Sequence, residues 1–370
     1  MARAAIASRE PTAVTPPARA ELLAWLGAGL RPERPDALAA ELPLALSPER
    51  IADHLVVREG GRFAAHALGH RLPVRVAGRP AVVGLIGLVY TDPDFRGRGL
   101  ARACVAAAAR RLAASGALAV LLWTDLDALY APLGFGRAGR EWILALDPAI
   151  CAAARAGAGA PLAVGPPAPA DWPLLERLAA ARPSRAERPP GALARLAAAP
   201  DCTTRVARRA GRPVAYACAG RGADLRGCVH EWAGEPDATL VCVEALARAG
   251  ARRWLAGPGD DPAAARLRAA GADAHAGDFA LAWLPDPAAL LAHVAGDVPA
   301  LAGVRLAADG AGYRLVGGRG AVALSAAEAR AWLLGPERPP AAARALAASE
   351  WLALRERLPW PLALSGFDSV

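Results

Sequence analysis

The stretch Gly84–Ala114, GLIGLVYTDPDFRGRGLARACVAAAARRLAA, constrains the fold more than any other part of the chain. Its first residues, Gly84–Tyr90, are apolar and β-branched enough for a buried strand. Thr91–Asp92–Pro93–Asp94 ends that strand, because Pro93 has no N–H to donate and pushes Asp92 out of helical space. Phe95–Ala101 then turns tightly into a helix with Ala101, Cys104, Val105, Ala108 and Leu112 on one face. Arg102 and Arg110 lie on the other face, with Arg111 at the border. A glycine turn that opens a helix suits an anion, since the first helical amides lack partners and the dipole favours negative charge there. Gly97 and Gly99 let the backbone close on a ligand. Arg96 and Arg98 add charge, and a pyrophosphate is the natural ligand.

Two nucleotide motifs fail at this turn. A P-loop needs Gly-Lys-Ser/Thr, and no Lys follows Gly99. A dinucleotide fingerprint needs a third Gly where Arg102 stands, and a strand that runs straight into the turn. The run Arg96-x-x-Gly99-x-Ala101 resembles instead the R/Q-x-x-G-x-G/A signature of the GNAT superfamily of N-acetyltransferases, which binds the pyrophosphate of acetyl-CoA. An ordinary glycine-eased helix start is the alternative. Downstream, Leu118–Trp123 is a continuous apolar run, as expected of a strand covered on both faces. Tyr130-x-x-x-Gly134-Phe135 then resembles the GNAT motif in which a tyrosine protonates the departing CoA thiolate. Strand, anion turn, helix, buried strand, short helix with Tyr, Gly-Phe and strand follow in GNAT order over roughly residues 60–147. Taken alone, Tyr130 reads as a half-buried aromatic at a helix end.

At 370 residues the chain is too long for one ordinary core. The net charge of +8 raises nucleic-acid binding, but the basic residues are all Arg, spread along the chain rather than gathered in a stripe with aromatics. The sequence has no Lys, Asn or Gln, a skew that fits GC-rich codons. Cys104, Cys151, Cys202, Cys218, Cys228 and Cys242 form neither a C-x-x-C nor a zinc-type spacing, so no metal is expected. Several lie in apolar patterns, where free Cys acts as a small hydrophobe, which fits a reducing cytoplasm. Glu10 and Glu21 interrupt the apolar candidates for a signal peptide, and no run is long enough to span a membrane.

Along the chain, Ala4–Arg9 reads as a first strand and Ala18–Leu30 as a helix ended by Pro32 and Pro35. By the resemblance this helix and the next, near Pro35–Leu42, cover the acceptor cleft. His54–Glu59 and Arg62–His70 form a hairpin around Gly60–Gly61. Leu72–Val76 and Ala81–Tyr90 form another. His54, His66 and His70 fall in or near these strands. A solvent-facing strand position is the ordinary reading of His66 and His70, and the cleft lining is the alternative. Glu141–Leu146 reads as the strand that closes the first domain, and Asp147–Ala170 as a connector. Trp172–Ala181 looks helical.

From residue 202 the outline repeats: hairpin Thr203–Ala219, helix Asp237–Gly250, strand Arg253–Ala256, helix Pro262–Ala270, strand Asp278–Leu284. Gly220–Arg221–Gly222–Ala223 precedes no helix, so the second copy lacks the anion turn. His230–Glu231–Trp232 stands at the corresponding place, as a core Trp with a polar pair or as part of an acceptor pocket. Beyond it come helix Pro287–Ala295 and strands Gly303–Ala307, Gly312–Val316 and Ala321–Leu324. A helix Ser325–Leu334 follows, with Ser325 and Glu328 as a capping box, and then helix Ala341–Arg357. The apolar, proline-stiffened terminus Pro359–Val370 suggests a docked tail, since tails are usually polar and frayed.

The layout is similar to the bacterial acetyltransferases of the enhanced-intracellular-survival type. That resemblance implies an α/β (α+β) chain in three parts: a catalytic GNAT domain with a mixed sheet (1–150), a degenerate GNAT-like domain (151–285), and a small α+β, sterol-carrier-like unit (286–370). It implies acetyl transfer from acetyl-CoA, the cosubstrate, to a small-molecule or peptide amine by direct attack. Arg96, Gly97, Arg98, Gly99, Leu100, Ala101 and Arg102 would hold the coenzyme's diphosphate. Val89, Tyr90 and Thr91 would pair with the pantetheine, and Asp125 and Leu126 would lie beside it. Tyr130 would be the acid. The Val370 carboxylate would be the base, with Asp125 and Glu231 as alternatives. A CoA-binding sensor that acetylates nothing is the competing function, and an intact Tyr130 speaks against it. Neither membrane nor nucleic acid is expected as a partner, and a homo-oligomer stays open.

Overall fold

The computed structural model describes residues 10–155, 161–257, 261–335 and 340–370. The strand expected at Ala4–Arg9 lies outside them. The first half runs β1 (Thr12–Ala13), α1 (Arg19–Leu30), α2 (Ala37–Glu41), β2 (His54–Glu59), β3 (Arg62–Val76), β4 (Arg79–Thr91), α3 (Leu100–Ala114), β5 (Ala119–Leu122), α4 (Asp127–Tyr130), β6 (Gly136–Ala138) and β7 (Glu141–Ala145). The second half begins with α5 (Pro148–Ala154), β8 (Ala163–Gly165), α6 (Trp172–Ala180), β9 (Arg185–Ala186) and α7 (Ala192–Ala197). It continues with β10 (Thr203–Arg209), β11 (Arg212–Ala219), β12 (Cys228–Gly234), α8 (Pro236–Arg248), β13 (Arg253–Ala256), α9 (Pro262–Ala269), β14 (Ala274–Gly277) and β15 (Ala280–Trp283). The last part holds α10 (Pro287–Ala295), β16 (Arg305–Asp309), β17 (Gly312–Gly317), β18 (Gly320–Ser325), α11 (Ala326–Leu334), α12 (Pro340–Ala345) and α13 (Ala348–Arg355).

Two mixed sheets are built to one plan. The first has the order β1-β2-β3-β4-β5-β15-β6, with β9 added on β3. The second has the order β14-β7-β13-β12-β11-β10-β8. Each contains an antiparallel hairpin and one parallel pair, β4 with β5 and β12 with β13. Each is completed by a strand from the other half. β7 pairs with β13 and β14 in the second sheet, and β15 pairs with β5 and β6 in the first. This corrects the expectation that Glu141–Leu146 closes the first sheet and Asp278–Leu284 the second. A four- to five-residue apolar strand fills a gap between two strands equally well in either sheet, and the short 139–140 and 278–279 links let the chain cross over.

Helix α3 packs its apolar face on the first sheet through Leu100, Cys104, Val105, Ala108 and Leu112, all buried against Leu55, Ala65, Ile86 and Val120. On the other face, α1 and α2 bury Leu22, Leu26, Leu38 and Leu42 against Val56 and Leu68. Helices cover both faces of the sheet where β2 and the first part of β3 run, so His54 on β2 and His66 and His70 on β3 are all buried rather than solvent-facing. The three-stranded sheet β16-β17-β18 packs with α10, α11 and the tail on the remainder of the first sheet. The capping box at Ser325 and Glu328 is formed. The single helix expected over Ala341–Arg357 is instead two. Glu350 accepts from the Ala347 and Gly318 amides at 2.7 Å and 2.9 Å, which restarts the helix at Ala348 and ties it to the small sheet.

Candidate active site

The turn before α3 has the geometry of an anion cradle. Gly97 and Gly99 have φ of +74° and +77°, a left-handed backbone that favours glycine, and open space lies where their side chains would be. The first helical bond runs from the Ala103 amide to the Gly99 carbonyl at 3.1 Å, so the amides of Leu100, Ala101 and Arg102 have no helical acceptor. Arg96, Arg98 and Arg102 are exposed around this turn. Arg98 is held by Glu59 at 2.7 Å and by the Asp94 carbonyl at 3.3 Å, and it lies over the Phe95 ring. Arg96 Nε reaches the Thr91 carbonyl at 3.3 Å.

The strand that feeds the cradle is β4, and its pairing changes along its length. The parallel ladder with β5 stops at Leu85 opposite Leu121. Beyond it, β4 is paired on the β3 side alone, and the pairing jumps from His66–Tyr90 to Leu68–Gly87. Two β4 residues, Leu88 and Val89, thus face one β3 residue, which is a β-bulge. Leu88 takes a φ of +51°, in the left-handed region that a leucine rarely enters. The strand edge from Ile86 to Thr91 is therefore unpaired toward β5, an edge that an extended ligand can join. Tyr130 is buried in the same apolar cluster as Val89, Phe95 and Leu100, edge-on to Phe135. Burial pushes its hydroxyl pKa up, so the phenol is a proton donor, not a phenolate, near neutral pH. Asp125 and Leu126 lie exposed in the loop after β5, Leu126 at 64%. Tyr90 turns the other way, edge-on to Trp25 of α1 at 4.9 Å.

The opposite face of β4 receives the tail. A Cβ on Gly87 would overlap the Val370 carboxylate, so the absence of a side chain there is what admits the chain end. Val370 packs on the same apolar cluster as Leu88 and Tyr90. The tail is clamped from the second half of the chain by two arginines that sequence reasoning missed. Arg221, 4% exposed, donates to the carbonyls of Gly366 and Ser369 at 2.6 Å and 2.7 Å. Arg188 donates to Asp368 at 2.8 Å, to Ser365 Oγ at 2.7 Å and to Glu231 at 2.7 Å. Glu231 also accepts from the Tyr216 hydroxyl at 2.6 Å. Burial alone would raise the Glu231 pKa, but the Arg188 charge and hydrogen bonds hold it at about 2. Glu231 is thus occupied as an anchor of the tail. His230 supports the same segment, its carbonyl accepting from Gly366 N–H at 3.1 Å and its ring lying edge-on to Phe367. A cavity of about 300 Å³ opens between α2, β3 and the tail, lined by residues that include Glu41, Glu49, Arg50, His70, Asp368 and Val370.

A family model, the acetyltransferase (GNAT) family, matches residues 20–135. A GCN5-related N-acetyltransferase from Kribbella flavida superposes with a TM-score of 0.56 at 17% identity, covering 85% of this chain and 83% of that one. Eis1 from Mycobacterium abscessus gives 0.54 at 18% identity, with 85% of each chain covered. The chain has the GNAT fold. A third GNAT structure, a GCN5-related N-acetyltransferase from Anabaena variabilis, gives 0.57 at 14% identity over 85% of both chains. No curated protein matches the sequence. Among the described residues, no group of three or more His, Cys, Asp or Glu is placed to hold a metal ion, and no helix is long and apolar enough to cross a membrane.

Proposed function

We propose that this GNAT-fold chain transfers the acetyl group of acetyl-CoA to a primary amine. The observation that carries the reading is the open edge of β4. It has an anion cradle at one end, a buried phenol on one side and a carboxylate seated at Gly87 on the other. The amides of Gly97–Arg102 take the diphosphate, with Arg96 and Arg98 supplying charge. The pantetheine lies along Val89, Tyr90 and Thr91 as an added strand, and Asp125 and Leu126 flank it. The Val89 N–H polarises the thioester oxygen, an oxyanion-type contribution.

The amine enters from the cavity beside Val370. Its nitrogen attacks the thioester carbon, its proton passes to the Val370 carboxylate directly or through one water, and the C–S bond breaks. Tyr130 gives its proton to the departing thiolate, as a phenol held neutral by burial is able to do. The cavity lining mixes carboxylates and guanidiniums, so the amine is left as a class.

The test is thiol release from acetyl-CoA over a panel of amines, paired with calorimetric titration of CoA. Binding with amine-dependent thiol release is the expected result. Binding without release from any amine points to a coenzyme-binding protein, and no binding ends the reading.

A further inference from the structure

The β4 bulge is a conformation that needs holding. A left-handed leucine lies about 1–2 kcal/mol above its usual conformations, and Leu88 has no neighbour on the β5 side to fix it. What touches it is a histidine. His66 Nδ1 lies 2.7 Å from the Leu88 carbonyl oxygen. Behind it, His54 Nδ1 lies 2.9 Å from His66 Nε2, and His54 Nε2 lies 3.3 Å from the Ala45 carbonyl.

Counting protons assigns the roles. Three contacts between two carbonyls need three N–H groups, and two neutral imidazoles carry two. Burial keeps both rings neutral, His66 falling to about 3 and His54 to about 4. The two short contacts take the protons and the 3.3 Å contact goes without. His66 therefore donates to Leu88, and His54 donates to His66 and fixes its tautomer.

We infer that His66, backed by His54, is a positioning residue that aims the Val89 N–H at the thioester oxygen; the inference rests on the acetyl-CoA reading above. The Leu88 carbonyl and the Val89 N–H belong to one planar trans peptide and point in opposite directions. Pulling the carbonyl toward His66 and the α1–α2 layer turns the N–H toward the face that carries α3, the glycine turn and Tyr130. His66 is itself fully buried and acts through this peptide rather than by meeting a ligand.

The test uses the full chain and two titrants, acetyl-CoA and CoA, because CoA lacks the acyl oxygen that the Val89 amide would hold. His66→Leu should weaken acetyl-CoA about tenfold and CoA less than about threefold. His66→Asn, which places an amide donor near the Nδ1 position, should recover acetyl-CoA affinity to within about threefold of native. Equal losses for the two titrants, an unchanged acetyl-CoA affinity, or an Asn variant as weak as the Leu variant would each overturn the inference. Should His66→Leu not fold, His54→Phe takes its place, with a selective loss of about threefold expected and an equal loss for both titrants overturning it. A native chain that binds neither titrant overturns the acetyl-CoA reading itself, and is told apart from these outcomes by the native titration alone.

Discussion

Replacing Arg188 by Met tests how the tail is held and what the tail does. The guanidinium is 14% exposed and its partners Glu231 and Asp368 are 2% and 5% exposed, so both ion pairs are largely out of water. Removing one partner of such a group costs about 3–5 kcal/mol, because the remaining charge stays buried without compensation. The two carboxylates respond differently. Asp368 lies on the tail and can move with it, whereas Glu231 sits in the middle of β12, where the Tyr216 hydroxyl is its remaining short hydrogen bond outside the tail. Urea unfolding of Arg188→Met should thus show a deficit of about 3–5 kcal/mol at pH 7. The deficit should shrink as pH falls. In the native chain Glu231 is held at about 2 and contributes stability above its unfolded pKa, lost as pH falls through about 2. In the variant the same carboxyl is raised by burial, so protonating it relieves the penalty. Adding Glu231→Gln should restore most of the stability at pH 7 and should not restore thiol release, because Asp368 still lacks its anchor. An Arg188→Met deficit under about 1 kcal/mol, or single effects that simply add, would refute the electrostatic reasoning. A double variant with native turnover would refute the role given to the tail.

Three further outcomes follow from the same geometry. Tyr130→Phe should lower kcat for thiol release by about 10²–10⁴ and leave the CoA affinity unchanged, measured by steady-state kinetics and calorimetry; native turnover removes Tyr130 as the acid. Gly87→Ala places a methyl where the Val370 carboxylate sits, so it should displace the chain end and cut kcat while CoA still binds; full turnover would show that the carboxylate is not the base. Burial pushes the imidazoles of His54 and His230 down to about 4 and those of His66 and His70 down to about 3. Their contribution is full above the unfolded value near 6.5 and is lost as pH falls from there through about 4 for His54 and His230 and about 3 for His66 and His70, on the order of 1.4 kcal/mol per pH unit for each. The melting temperature should drop steeply below pH 6, and a flat profile from pH 7 to 4.5 would contradict the burial of these rings.

What the sequence made legible was local. The strand–turn–helix at Gly84–Ala114 announces itself because glycines, a proline and an apolar period act within a few residues of one another. Ser325 and Glu328 are readable for the same reason. Partner choice between sheets was not readable: β7 and β15 are short apolar strands whose patterns do not say which gap they fill. Arg188 and Arg221 were hidden by abundance, since in a chain whose only basic side chain besides histidine is arginine nothing local marks the two that are buried. His66 and His70 misled because strand alternation assumes one wet face, and β3 is covered on both faces from Phe63 to Leu68, while at His70 it is the neighbour Arg71 that faces out. The Ala-rich run after Pro340 reads as one helix, and only Glu350 reaching the small sheet breaks it.

The crossing over of β7 and β15 has a consequence for how this molecule lives and dies. Neither half owns all the pieces of its own sheet, so a gene cut near the midpoint would encode two fragments, each with an unfilled slot one strand in from the edge of its sheet. Such fragments have a reason to find each other, and co-expressed they should rebuild one particle where either alone precipitates. Heating should undo both halves in one step, with no stage at which either half survives its companion.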